Sequence, residues 1–384
     1  MSKKKHKLTD RELFTPYSLL DRYIITEIAL VFTFSLGILS SLGVAIGNLS
    51  DLGYKIFEFN LPLDLAFQVL LWKIPEFVAY ALPISLLLAT LITYGRFSSD
   101  SELIACLSCG VSLYRLIAPT LVFSMIVSGL TLVFTESVVP FANYQAAQIL
   151  EKVIPEETKF TQKNDIFYAE YKIIDKKQKI TTLFYAKKFD GKDMNDVTVL
   201  VWSEQKLEKI LSSRQAFWSE QEKLWTFING VIYQVQGDEL TQKYLNFQQH
   251  KMSLSSAPLE LAQKSRDPYQ MNIAQSLDYL KIISQSGDEK KILMFQVRTQ
   301  QKMAFPFICL VFGLVGSAIG VGSQQMGRGT SLGISVIIVF LYYLFGFLIG
   351  SLGLVGFVSP FMAAWSPNVL ALVIGSWILF KNAS

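Results

Sequence analysis

The stretch "GTSLGISVIIVFLYYLFGFLIGSLGLVGFVSPFMAAWSPNVLALVIGSWILF" (Gly329–Phe380) runs for 52 residues without an Asp, Glu, Lys or Arg. Its length decides the fold class. An α-helix rises about 1.5 Å per residue, so roughly 20 residues cross a hydrocarbon core of about 30 Å. The stretch is long enough for two crossings, and Gly350, Gly353 and Gly356 offer a place to turn. Four more uncharged runs, Ile28–Ser50, Phe77–Gly95, Leu116–Phe134 and Met303–Gly327, each have the length of one crossing. A helical membrane protein of six spans follows, three before a polar gap and three after it.

The overall balance agrees. The 384 residues are 51% hydrophobic and 17% charged, with mean hydropathy +0.35, too apolar for an ordinary soluble domain. The net charge of +4 is small, and the lysines of the gap do not alternate with aromatics along one face, so no nucleic-acid partner is expected. Cys106 and Cys109 form a lone C-x-x-C one helical turn apart and read as a small buried pair. His6 and His250 are the only histidines, too little material for a His-based metal or catalytic site. No cofactor is expected.

Short-loop basic residues set the orientation. Lys3, Lys4, Lys5, Lys7, Arg11 and Arg22 precede the first span, Arg96 and Arg115 flank the loop after the second, Arg328 lies between spans four and five, and Lys381 follows the last. The opposite short loops hold only Lys55 and Lys73. Both termini and the loop after span two are therefore expected in the cytoplasm, with the gap outside. The first apolar run exceeds a signal-peptide core and shows no clear cleavage site, so it reads as a retained span.

Three segments result: residues 1–135 with spans one to three, an outer domain over 136–302, and residues 303–384 with spans four to six. In the gap, "ITTLFYAKKF" (Ile180–Phe189), "VTVLVW" (Val197–Trp202) and "LWTFINGVIYQV" (Leu224–Val235) are rich in β-branched and aromatic residues. They predict an antiparallel sandwich or open barrel, whose interior is either a packed core or an apolar groove. Asn229–Gly230 predicts a two-residue hairpin turn. Ile273, Leu277, Leu280 and Ile283 have helical spacing.

Enzyme motifs are absent: there is no Walker-A loop, no G-x-S-x-G and no H-E-x-x-H. "GRGTSLG" (Gly327–Gly333) reads as a tight turn with Thr330 or Ser331 capping the next helix. The span cores hold no Asp, Glu or His, which disfavours an ion-driven transporter. Glu27 reads as interfacial, and Lys73 and Glu76 are spaced to pair.

One polar insert stands out, "FSSDSELIACLSCG" (Phe97–Gly110). Ser99-x-x-Glu102 has the form of a capping box, Asp100 adds negative charge at the helix start, and Gly110 is a stop. The prediction is a two-turn helix over about 99–110. Glu102 either caps that helix or meets a basic residue of a cytosolic partner, and the residues alone leave both open.

Several stretches together resemble one family, the LptF/LptG permeases of the lipopolysaccharide-export ABC transporter. They are "LLDRYIITE" (Leu19–Glu27), "ALPISLLLATLITYGRFSSDSELIACLSCGVSLYRLIAP" (Ala81–Pro119), "VRTQQKMAFPF" (Val297–Phe307), "GRGTSLGISVIIVFLYY" (Gly327–Tyr343), "AAWSPN" (Ala363–Asn368) and, in the gap, "WTFINGVIY" (Trp225–Tyr233). The resemblance implies a periplasmic jellyroll-like domain between spans three and four of an inner-membrane protein in a two-membrane bacterium. It implies a second permease, a copy or a paralogue, and a separate cytosolic ATPase of the LptB kind. It further implies delivery of lipopolysaccharide or a related glycolipid to a bridge of LptC/LptA-like jellyroll proteins. The insert becomes the coupling helix, with Glu102, Ser99, Asp100 and Leu103 as its ATPase-facing candidates. The family holds lipid phosphates with basic residues beyond spans one and three. Here those stretches supply Lys55 and Lys152, which suit a less anionic glycolipid. The rival readings are a membrane-anchored scaffold or sensor, or a mechanotransmission subunit of another envelope complex.

Overall fold

A computed structural model of the chain describes residues 19–59, 61–153, 164–174, 177–190, 193–203, 206–220, 222–234, 243–256, 258–259, 271–284, 289–322 and 328–383. The basic residues before Leu19 and the "QKSRDPYQ" tract (263–270) lie outside the described residues. The chain divides into two compact units. One comprises Met1–Leu150, Gln300–Leu352 and Phe361–Ser384; the other comprises Glu151–Thr299 with Gly353–Pro360.

The first unit is helical. In chain order it contains α1 (Leu19–Phe59), α2 (Leu63–Ser99), α3 (Glu102–Ser108) and α4 (Leu113–Val133). A π-helical turn (Phe134–Val138) joins α4 to α5 (Val139–Val153). Pro140 has no N–H to give the Glu136 carbonyl, and the helix rewinds there so that Val139 N–H reaches Phe134 O instead. The third apolar helix therefore continues as one rod from Leu113 to Leu150. After the sheet come α7 (Glu289–Ala304), whose residues up to Thr299 belong to the second unit, α8 (Phe307–Gly322), α9 (Arg328–Val355) and α10 (Pro360–Ala383). Among the described residues five helices are long and apolar enough to cross a membrane. A sixth crossing exists if α7 and α8, bent by 51°, count as one.

α2 is the axis of this unit: 67% of its apolar window is buried, against 6% for α9. Leu82, Leu86, Ala89 and Tyr94 of α2 pack with Ile24 and Ile28 of α1, Leu116 and Ile117 of α4, and Cys309 and Ala318 of α8. Lipid gives helices no hydrophobic reason to associate, so close packing through small residues supplies the contact. α8 uses Gly316 and Gly320, where an added Cβ would collide with Thr90 and Tyr94 of α2. The break between α7 and α8 at Phe305–Pro306 frees carbonyls that lipid cannot satisfy. Asn368 Nδ2 donates to Ala304 O at 2.9 Å and Ser128 Oγ to Pro306 O at 2.8 Å, while Tyr342 donates to Asn368 Oδ1 at 2.7 Å. Thr330 and Ser331 do not cap α9, which already begins at Arg328 and includes both in its first turn. The turn after α9 does fall at a glycine, Gly356, with φ +88°.

The second unit is built on a six-stranded antiparallel sheet in sequential order: β1 (Asn164–Ile174), β2 (Lys177–Phe189), β3 (Met194–Ser203), β4 (Lys206–Ser219), β5 (Leu224–Gln234) and β6 (Lys243–Met252). Its core is filled. Phe184, Val199, Trp225 and Phe227 pack with Tyr279 and Ile283 of α6 (Ile273–Ile283) and with Phe295 of α7. Trp225 is fully buried, and its indole N–H donates to Ser255 O at 3.0 Å.

The expected Asn229–Gly230 hairpin is not formed. β5 runs straight through both residues, although Asn229 does take the left-handed conformation at φ 51°. A Cβ at Gly230 would strike Ser212 O and the Phe247 ring across the sheet, so glycine is required there for close packing rather than for turning. The registers align Lys187, Asp196, Arg214, Asn229 and Gln248 in one exposed row across five strands. Asp196 is also left-handed. At this row the buried set changes parity: β4 buries Leu211 and Ser213 on one side and Ala216 on the other. The row is a polar crease in the sheet.

Candidate functional site

α2 ends at Ser99, and a two-residue turn through Asp100 and Ser101 leads into α3. The capping box is absent. Ser99 is still helical and cannot serve as an N-cap; the N-cap of α3 is Ser101, left-handed at φ 62°, with no side-chain cap. Asp100 closes α2 instead, its N–H meeting Arg96 O at 2.8 Å. Glu102 thus opens α3 at its first position, two residues out of step with the box. The far end forms as expected: Gly110 has φ +85°, Gly110 N–H reaches Leu107 O, and Val111 N–H reaches Cys106 O, a complete Schellman stop.

α3 carries Leu103 buried in the helical core, while Ile104 and Leu107 are 49% and 43% exposed. Ser99 and Asp100 are exposed as well. Glu102 is half-buried, and its carboxylate leaves its own helix. Tyr23 of α1 donates its phenol proton across both carboxylate oxygens, at 3.3 and 3.1 Å. The Tyr23 oxygen in turn accepts from Arg96 Nη2 at 3.3 Å, and Arg96 Nη1 pairs with Glu27 at 3.1 Å. Tyr23 stacks on Phe97 with ring centroids 5.4 Å apart, and the Arg96 guanidinium lies 5.3 Å over the same ring. Beside this cluster Arg115 of α4 grips Asp21 of α1 in a two-pronged pair at 2.5 and 2.7 Å. α1, α2, α3 and α4 are therefore bound together by side chains at one end of the helical unit.

Cys106 of α3 and Cys109, its C-cap, are free thiols one helical turn apart. Burial, with smaller contributions from Cys109 and the Glu102 carboxylate, holds the Cys106 thiol above its usual range. Cys109 is exposed and Cys106 half-buried, so the pair is not the buried one expected from the sequence. Among the described residues no group of three His, Cys, Asp or Glu converges to hold a metal.

The model for "Lipopolysaccharide export system permease LptF/LptG" matches residues 22–381. The chain belongs to the LptF/LptG family. A relative, the lipopolysaccharide export system permease protein LptG of Haemophilus influenzae (strain ATCC 51907 / DSM 11121 / KW20 / Rd), is 22% identical over 312 residues, covering 80% of this chain and 84% of that protein. This LptF/LptG chain is thus a multi-pass, helical membrane protein with a β unit, from a family of lipopolysaccharide export permeases.

Of the residues singled out in the sequence of this LptF/LptG member, the structure brings Glu102 and Leu103 onto the seat beneath α1 and leaves Ser99 and Asp100 on the rim. Lys55 lies in the last turns of α1, half-buried. Lys152 lies near the end of α5, its side chain outside the described residues. The two lysines belong to different units. Lys73 and Glu76 do pair, at 2.8 Å. Sequence reasoning missed the roles of Tyr23, Arg96 and Asp21 at this site. The local signals are a polar cluster, Asp21 to Glu27, at the foot of an apolar span, and for Arg96 its place as a basic residue at the end of the second span.

Proposed function

We propose that the chain is a non-catalytic permease subunit of an ABC-type exporter. A separate cytosolic ATPase of the LptB kind docks on α3, and its motion drives lipopolysaccharide or a related envelope glycolipid out of the inner membrane. In this reading α7 and α8 count as one span, giving six in a three-plus-three arrangement. Both termini and α3 face the cytoplasm. The sheet unit is periplasmic and jellyroll-like, and passes the lipid to an LptC/LptA-like bridge. A second permease, copy or paralogue, completes the membrane part. Ser99, Asp100, Glu102 and Leu103 belong to the ATPase-coupling element, and Lys55 and Lys152 are the candidate lipid contacts.

The observation that carries this reading is the build of α3. A loop helix with no partner has little reason to turn Ile104 and Leu107 outward beside Asp100 while Leu103 and Glu102 root it in α1. That pattern, an apolar pair with an acidic rim on a rigid base, suits insertion into a groove of a second protein. Mild-detergent purification with mass spectrometry of bound proteins and lipids tests the reading. An ATPase and a glycolipid are expected to accompany the chain. Glu102→Ala is expected to lower ATPase capture at least about tenfold, since truncating a buried interfacial charge pair costs about 2–5 kcal/mol. Unchanged capture, or no ATPase with the unaltered chain, would refute it.

A further inference from the structure

We infer that Tyr23 is a positioning residue for the coupling step, the link through which α3 acts on α1. The inference rests on the reading of α3 as the ATPase dock. It starts from how weakly α3 is joined to α2: a two-residue turn with Ser101 in a left-handed, strained conformation and no cap at the helix start. A displacement of α3 is poorly transmitted through such a hinge. Two other connections remain at its first turn, the buried Leu103 side chain and the Tyr23–Glu102 hydrogen bond.

The second of these is directional. Tyr23 has one proton to donate, and its oxygen is already engaged by Arg96 Nη2, so the proton is directed towards Glu102. Arg96 is itself fixed from two sides, by Glu27 at 3.1 Å and by the Phe97 ring beneath it. Tyr23 cannot swing freely, because its ring is stacked on Phe97. The result is a chain Glu27–Arg96–Tyr23–Glu102, running from α1 to α2, back to α1 and out to α3. Arg96 is the single guanidinium in this chain, between two carboxylates. A carboxylate has about four acceptor positions and Tyr23 supplies one proton, so Glu102 keeps positions for a basic group arriving from outside. Glu102 thus faces two ways: one hydrogen bond ties it to α1, and the remaining lone pairs are open to a partner's cation.

Docking and transmission therefore separate at one carboxylate. Glu102→Ala removes both, whereas Tyr23→Phe removes only transmission and keeps the ring on Phe97. The test uses the complex of the chain with its second permease and ATPase, reconstituted in liposomes carrying lipopolysaccharide. ATPase captured per chain, ATP hydrolysed and lipid released are measured together. Tyr23→Phe is expected to capture ATPase within about twofold of the unaltered complex, yet to release about tenfold less lipid per ATP, the loss of one charge-assisted hydrogen bond. Arg96→Lys keeps a charge for Glu27 but loses the planar fork that reaches Tyr23, and is expected to show the same loss. Unaltered lipid per ATP in both variants would overturn the inference. Failure of the underlying reading shows elsewhere, as absence of ATPase from the unaltered complex, and would overturn the inference with it.

Discussion

Glu102 is held by Tyr23 of α1, which the sequence sets far away, and through it by Arg96 of α2, six positions upstream. Tyr23 is 79 positions upstream, and no local pattern announces the bond. The capping box looked complete on paper because Ser99 and Glu102 have the right spacing, but a box needs Ser99 outside the helix. α2 runs on through Ser99, held by tertiary packing of Tyr94 and Phe97 in the helical core, and the register is lost. What was legible was the acidic residue at the start of a short helix and the glycine at its end. Asp21 makes a separate prediction at this scale. It is mostly buried and receives both prongs of Arg115, so Asp21→Ala leaves a guanidinium half-desolvated between α1 and α4. The variant is expected to lose about 1–3 kcal/mol and to melt earlier in detergent. An unchanged melting temperature would mean that Arg115 is not needed to hold the foot of α1.

Among the elements, the spans were the easiest to read, since charge-free runs follow directly from the thickness of the bilayer. Their ends were not. α1 has 41 residues and is about 60 Å long, well past its apolar run, and the third apolar helix rewinds at a π turn instead of stopping. The fourth run hid a break at Phe305–Pro306, because the residues that repair it come from α4, α9 and α10. Asn368 is the hub of that repair, donating to Ala304 O while accepting from Tyr342. Asn368→Leu would leave a carbonyl and a phenol unsatisfied in a lipid-facing protein. A lower melting temperature and faster proteolysis near Phe305 are expected; normal behaviour in both assays would show that water replaces the amide. In the sheet, the left-handed conformation at Asn229 was legible, but its use was not. The Phe247 ring lies over Gly230 from β6, and the chain creases where a local reading turns it.

At the scale of the molecule, the two units carry separate cores, one around α2 and one around Trp225. Damage to one is expected to spare the other. Trp225→Ala should cost the sheet unit about 3–5 kcal/mol, while α3 captures ATPase as before. Loss of capture in that variant would show that α3 depends on the sheet unit for its fold. Family membership and the charge-free spans make the chain a member of a family of lipopolysaccharide export permeases; in the proposed function it hydrolyses nothing itself and converts a push at α3 into lipid movement. The most direct test is ATP-dependent release of lipopolysaccharide from liposomes to a soluble periplasmic acceptor, compared for the unaltered complex and Glu102→Ala. The account predicts release that requires ATP and falls to background in the variant, with the chain still folded and inserted. Release at the unaltered rate by Glu102→Ala, or release indifferent to ATP, would contradict it.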